Sequence, residues 1–177
     1  MEAAYRTNPA NGQLGMQLVA AYAQMRQTNA AVGVLDTLSQ TAASDITVIV
    51  PAVSAYAQLG QQGKGQLLVS RLLPLADQTL ANPQSDGPRL QAALQAYQMV
   101  AASQPTNSRP VQGMENSLTR LLQLNPTSPE LWYDLGALLS YQAKTNAAIQ
   151  AVSNAVLHSA ARLKQTPGAQ DLGELAV

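Results

Sequence analysis

Trp132-Tyr133-Asp134-Leu135-Gly136-Ala137-Leu138-Leu139, followed by Ala148, Val152 and Ala155, is the stretch that decides how this chain folds. Leu135 and Leu139 recur at helical steps beside Trp132, so the segment reads as an amphipathic helix with its ring and leucines in the core. Asn125-Pro126 marks its approach, because proline cannot continue a helix and pushes the residue before it out of the helical region. Thr145-Asn146-Ala147-Ala148 then opens a second helix. Thr or Asn at a helix start accepts hydrogen bonds from amides that have no partner inside the helix. The two small alanines let that helix lie close against the first.

The same pattern recurs upstream. Thr28-Asn29-Ala30-Ala31 repeats Thr145-Asn146-Ala147-Ala148, and Asn8-Pro9 precedes Gly15 by the step at which Asn125-Pro126 precedes Trp132. Tyr22 and Tyr56 are 34 residues apart. Tyr97 and Leu139 fill the comparable place after steps of 41 and 42, with extra loop at 82–88 and 104–110. The spacing predicts eight helices in four antiparallel pairs: 11–26 and 29–41, 47–60 and 64–81, 88–103 and 110–124, 128–142 and 145–164. Ile46-Thr-Val-Ile-Val50 is β-branched and would ordinarily suggest a strand. It is read here as a short approach plus the first turn of the third helix. Pro74 is expected to kink or break the fourth helix after Leu73.

This register over residues 9–164 resembles the tetratricopeptide repeat, a 34-residue helix–turn–helix unit with Trp, Leu-Gly and a ring in its first helix. Such a unit cannot bury its apolar face alone, so the resemblance implies an all-α, right-handed solenoid of about four antiparallel helix pairs with a long groove. Residues 11–164 would form the array. Residues 1–10 would be the tail of an upstream repeat or an N-terminal extension, and 165–177 a C-terminal tail or partial cap. In this family the Trp132 ring would pack between the two helices of its repeat, and the first helix of each pair would line the concave face. The inward positions are then Met16, Ala20, Ala23 and Gln24; Val50, Ser54, Ala57 and Gln58; Gln91, Gln95, Gln98 and Met99; and Tyr133, Ala137, Ser140 and Tyr141. Of these, Met16, Gln24, Ser54, Gln58, Gln95, Gln98, Met99, Tyr133 and Tyr141 are the candidate peptide-binding residues. Glutamine can donate to and accept from a peptide backbone, and methionine adapts to apolar side chains. The Lys, Arg and Asn set with which some members clamp a C-terminal carboxylate is missing from these positions. The implied function is a non-enzymatic scaffold for a protein or peptide partner. A self-association module forming a homo-oligomer, and an accessory domain of a larger protein, are the alternatives.

Composition narrows the other classes. Lys+Arg and Asp+Glu are 10 each, so no basic stripe points to nucleic acid or to an anionic membrane surface. There is no Cys, hence no disulfide framework and no thiolate metal site. No stretch approaches the ~18 apolar residues of a membrane span, and the start has neither a basic nor an apolar run. The compartment is not legible. The Ala- and Gln-rich, Cys-free composition suggests a segment of a larger bacterial-type protein.

Candidate chemistry is thin, and no cofactor, metal or catalytic residue is assigned. His158 is the only His, and nothing in the spacing selects Ser153, Ser159 or Asp134 as its partner. Gly60-Gln-Gln-Gly63-Lys64-Gly65 has the flavour of a phosphate loop, but its glycines are too close, no Ser or Thr follows Lys64, and no strand leads in. It reads as the turn between the third and fourth helices. Glu130 and Asp134 share one face of a first turn, where acids ordinarily offset the helix's positive end.

Overall fold

The computed structural model describes residues 1–165, and in them the protein is an all-α fold of helical hairpins. The elements are α1 Glu2–Thr7, α2 Gly12–Gln24, α3 Thr28–Thr41, α4 Ile46–Gln58, α5 Gln62–Ala81, α6 Gly87–Ser103, α7 Arg109–Leu124, α8 Pro129–Tyr141 and α9 Thr145–Gln165. The eight expected helices are α2 to α9. The expected tail or cap lies, beyond Gln165, outside the described residues.

Each pair begins and turns by a different device. The first helices carry side-chain caps. Asn11 accepts from the Leu14 amide, Asp45 from Thr47, Asp86 from Arg89 and Ser128 from Leu131. Each such cap is worth about 1 kcal/mol. The second helices α3 and α5 start without one. They are entered through a tight turn whose pivot has positive φ: Arg26 at 57°, Gly60 at 73° and, before α9, Ala143 at 58°. In each turn the next amide reaches back five residues, Gln27 to Tyr22, Gln61 to Tyr56 and Lys144 to Leu139. That back-bond satisfies a carbonyl the helix end leaves open.

The chain divides into two compact units, Met1–Met114 and one beginning at Glu115. In the first, α4 is central and packs against α2, α3, α5 and α6. Leu35, Ile49, Val50, Leu72, Ala93 and Tyr97 close its core. A smaller cluster joins Tyr5 of α1 to Leu18, Leu38, Ala42 and Val48. At Gly113 an added Cβ would lie 2.4 Å from the Tyr97 ring, so only glycine lets α7 pass there. In the second unit α8 packs along α9. Gly136 makes that approach, since a Cβ would sit 2.7 Å from Cγ2 of Val152.

Three local expectations change. The run Ile46–Val50 is helical throughout, because the Asp45 cap starts α4 at its first residue and burial rewards the branched side chains. Pro51 therefore lies past the first turn. Pro74 does not break α5, which continues to Ala81. The carbonyl that Pro74 leaves without a donor belongs to Ser70, and both residues are exposed, so water meets it. Trp132 is half-buried rather than core, and its Nε1 donates to the Pro126 carbonyl at 2.7 Å, tying the incoming loop to α8.

Candidate functional site

One polar arrangement recurs from pair to pair. The Tyr56 hydroxyl of α4 donates to Oδ1 of Asp36 on α3 at 2.7 Å. Nζ of Lys64, in the first turn of α5, donates to both Asp36 oxygens at 2.8 and 2.7 Å. The same ammonium stands 5.9 Å above the Tyr56 ring, within cation–π range. One pair further on, Tyr97 of α6 donates to Oδ1 of Asp77 on α5 at 2.7 Å, and Arg109 at the start of α7 donates to the other oxygen. Tyr22 meets Glu2 of α1 with the same 20-residue separation. In the second unit Lys144, just before α9, takes both oxygens of Glu115 at 3.0 and 2.7 Å, and Leu139 stands where the tyrosine would be. Asp36 and Asp77 are thus each gripped by a tyrosine on the next first helix and a cation in the first turn of the next second helix, while of these two partners Glu2 keeps only the tyrosine and Glu115 only the cation.

The electrostatics follow from this geometry. Burial, and then the Asp36 charge, push the Tyr56 hydroxyl up to about 12. Burial and Asp77 push Tyr97 further in the same direction. Burial works to raise the Asp36 carboxyl, but hydrogen bonds from Lys64 and Tyr56 outweigh it and hold the group below its ordinary value. The hydrogen bond from Lys144 lowers Glu115. Neutral tyrosines and ionised carboxylates are what this grip requires, so it is in force across the physiological range. It is a structural device, and it uses up Lys64 of the glycine-rich turn.

The positions expected to face a ligand lie along the first helices. A groove of about 680 Å³ runs between α2 and α4. Met16, Ser54 and Gln58 line it, with Ala20, Ala23 and Pro51 as its small floor. Arg26 lines it as well and was missed in the sequence, where the turn pivot does not read as a groove position. Gln24 is exposed at the end of α2. Gln95 and Gln98 are exposed on α6, and Met99 is half-buried against the core. Val50 is not a groove residue: it is 1% exposed within the core, because α6 as well as α2 and α3 packs on α4. In the second unit Tyr133 and Tyr141 are 62% and 77% exposed.

No protein-family model and no curated protein matches the chain. A solved structure is similar to it. That chain, described as "MamA RS-1 ArsTM double mutant", is 13% identical, with 85% of this chain and 96% of that chain covered and a TM-score of 0.37. At that identity and overlap the likeness says nothing of a ligand.

The remaining candidates have bland neighbours. Glu130 is held by Arg162 and accepts from the Ser128 hydroxyl, so half of the acid pair is spoken for. Its partner Asp134 has its carboxyl raised by partial desolvation and by the Glu130 charge. Among the described residues no group of three metal-ligating side chains forms, no hydrogen bond joins His158 to Ser153, Ser159 or Asp134, and no helix is long and apolar enough to cross a membrane.

Proposed function

We propose that the protein is a non-enzymatic, tetratricopeptide-like scaffold that holds an extended segment of a protein partner along its first helices. The observation that carries this reading is the α2–α4 groove, with an uncharged lining broken only by Arg26. Its alanines leave room for a backbone, while Gln58 and Ser54 offer side-chain hydrogen bonds to it. Successive first helices approach one another backbone to backbone, while α3 and α5 meet through long side chains such as Lys64 on Asp36, which supports curvature toward the first-helix side in this unit. Gln24, Gln95, Gln98 and Met99 would extend the surface beyond the groove, and Tyr133 and Tyr141 would supply apolar contacts of the same kind in the second unit. The Glu2–Tyr22 contact supports reading residues 1–10 as the second helix of a preceding pair, ahead of an array over 11–164.

Arg26 gives the ligand a preference. A segment with an acidic or carbonyl-rich residue at that end of the groove would pair with it. Selection from a displayed library of random peptides about 12 residues long tests the reading, run on the full chain and on Ala20→Trp, which fills the groove floor. A consensus enriched by the parent and lost with Ala20→Trp supports it. No enrichment, or the same consensus from both, refutes it.

A further inference from the structure

The α8–α9 pair leaves an apolar face open, while the matching face of α3 is covered. A groove of about 660 Å³ lies between α8 and α9, walled by Tyr133, Val152, Val156 and Leu163. These four are 62%, 39%, 64% and 62% exposed. The shared Thr-Asn-Ala-Ala start sets α9 in register with α3 and places Val152 where Leu35 stands. Leu35 is fully covered, in one cluster with Ile46 and Ile49 of α4. The face on α9 therefore has the position and the apolar stripe on which a further helix packs. Exposed apolar side chains contiguous on one face mark interaction surfaces.

Its polar residues say which helix. In the first unit α4 and α6 each bring a tyrosine to an acid on the preceding helix, but the position of Asp36 is Ser153 on α9, and its hydroxyl turns back to the Ile149 carbonyl at 2.8 Å. The charged residues that line this groove are Glu130 and Arg162, which pair with each other, and Asp134 on α8. Among the described residues Asp134 has no hydrogen bond or ion pair, while Arg162 donates to Glu130. An exposed carboxylate at the edge of an apolar groove favours a cation over an anion on whatever covers that groove. Residues 166–177 hold Asp171 and Glu174 and no Lys or Arg, so these twelve residues bring no cation to Asp134.

We propose that the α8–α9 face docks an amphipathic helix of a partner protein, whose apolar stripe covers Val152, Val156 and Leu163 and whose lysine or arginine reaches Asp134. This site is separate from the α2–α4 groove and does not depend on what that groove holds.

The test uses a synthetic helix of about 18 residues with leucines at i, i+3, i+4 and i+7 and one central lysine, and a twin with glutamate in place of the lysine. Fluorescence anisotropy against the full chain is expected to show the lysine peptide binding at least about tenfold tighter. Asp134→Asn should collapse that ratio, and Val156→Asp should abolish binding of both. Val156 is largely exposed, so its variant should keep the parent's circular dichroism; Val152→Gln serves if it does not. Ala20→Trp, in the other groove, should leave the affinity unchanged. Equal binding of the two peptides, or binding that survives Val156→Asp and Val152→Gln, overturns the proposal. Two further results overturn it by naming another occupant. One is a concentration-dependent mass abolished by Val156→Asp, which makes a second copy the occupant. The other is tighter peptide binding in Leu172→Ser/Leu175→Ser, which makes the end of this chain the occupant.

Discussion

Helices α3 and α9 open on the same four residues and meet different fates. On α3, Ala31, Leu35 and Leu38 are completely buried, and Asp36 beside them is gripped by Tyr56 and Lys64. On α9, Ala148 and Ala155 are buried against α8, but Val152 is 39% and Val156 64% exposed, and Ser153 replaces the acid. The stripe that faces the partner within the pair is the same in both. What differs is whether a following helix covers the next stripe round. A helical pair is a half-finished core, and its sequence shows both the half it makes and the half it waits for.

The comparison is broken most severely by emptying the covered stripe. Leu35→Ala should cost about 2–5 kcal/mol, the range for a leucine removed from a closed core. Val152→Ala, at the matching position, should cost less, about 1 kcal/mol, because Val152 packs on Gly136 of α8 but is otherwise open to water. Urea unfolding of both variants measures the gap, and equal losses would mean that α9 is as covered as α3.

The grip comes next. Tyr97→Phe should cost about 1–2 kcal/mol, since Asp77 loses a buried hydroxyl donor and keeps only Arg109. Tyr5→Phe is the contrast within the same unit, because the Tyr5 hydroxyl is buried without a partner. Its removal should be neutral or stabilising by up to about 1 kcal/mol. If Tyr5→Phe destabilised as much as Tyr97→Phe, the tyrosines would be acting through their rings alone.

How much of this was legible in the sequence follows from the range of each cause. The helices were, to within about two residues, because apolar steps, Asn-Pro approaches and Asp or Ser caps act over a turn or two. The acid–tyrosine grip was not, although Tyr22, Tyr56 and Tyr97 stood out at once. Its signal is an acid 20 residues before each tyrosine, and that spacing means something only once a helix and a turn are folded between the two. Val50 was misplaced for a similar reason, since a third neighbour on α4 turns a would-be groove position into core. Pro74 was expected to kink or break the helix after Leu73, and α5 is not broken there, since Pro74 and Ser70 both lie on its exposed side. Of the candidate site, Met16, Ser54 and Gln58 come together in one groove, Arg26 joins them unannounced, and the tyrosines of α8 lie in the other unit.

The grip also sets a pH signature. The Tyr56 hydroxyl is raised to about 12 from 10.0. A raised folded value means stability fully present below the unfolded value and lost as pH rises, so the loss should fall between about pH 10 and 12. Asp36 and Glu115 are depressed. Their contribution is present above the unfolded values and is lost as pH falls through the folded ones. Melting temperature against pH should therefore fall at both ends. Tyr56→Phe should soften the alkaline fall and Glu115→Gln the acid one, and a parent profile unchanged by either would remove the grip from the account.

The smallest effect sits in the turns. Gly60 and Ala143 pivot at 73° and 58°, where a Cβ is strained. Ala143→Gly should stabilise by about 0.5–1 kcal/mol and Gly60→Ala should destabilise by about 1 kcal/mol. Thermal unfolding of the two variants is sufficient, and shifts of the same sign would show that the turns are not equivalent.

The scaffold reading is tested most directly by hydrogen exchange on the full chain, with and without a peptide selected against it. Slowed exchange confined to the segments facing the α2–α4 groove, Gly12–Gln24 and Ile46–Gln58, is the predicted result. Slowed exchange elsewhere with none on those helices, or none anywhere at saturating peptide, would contradict it.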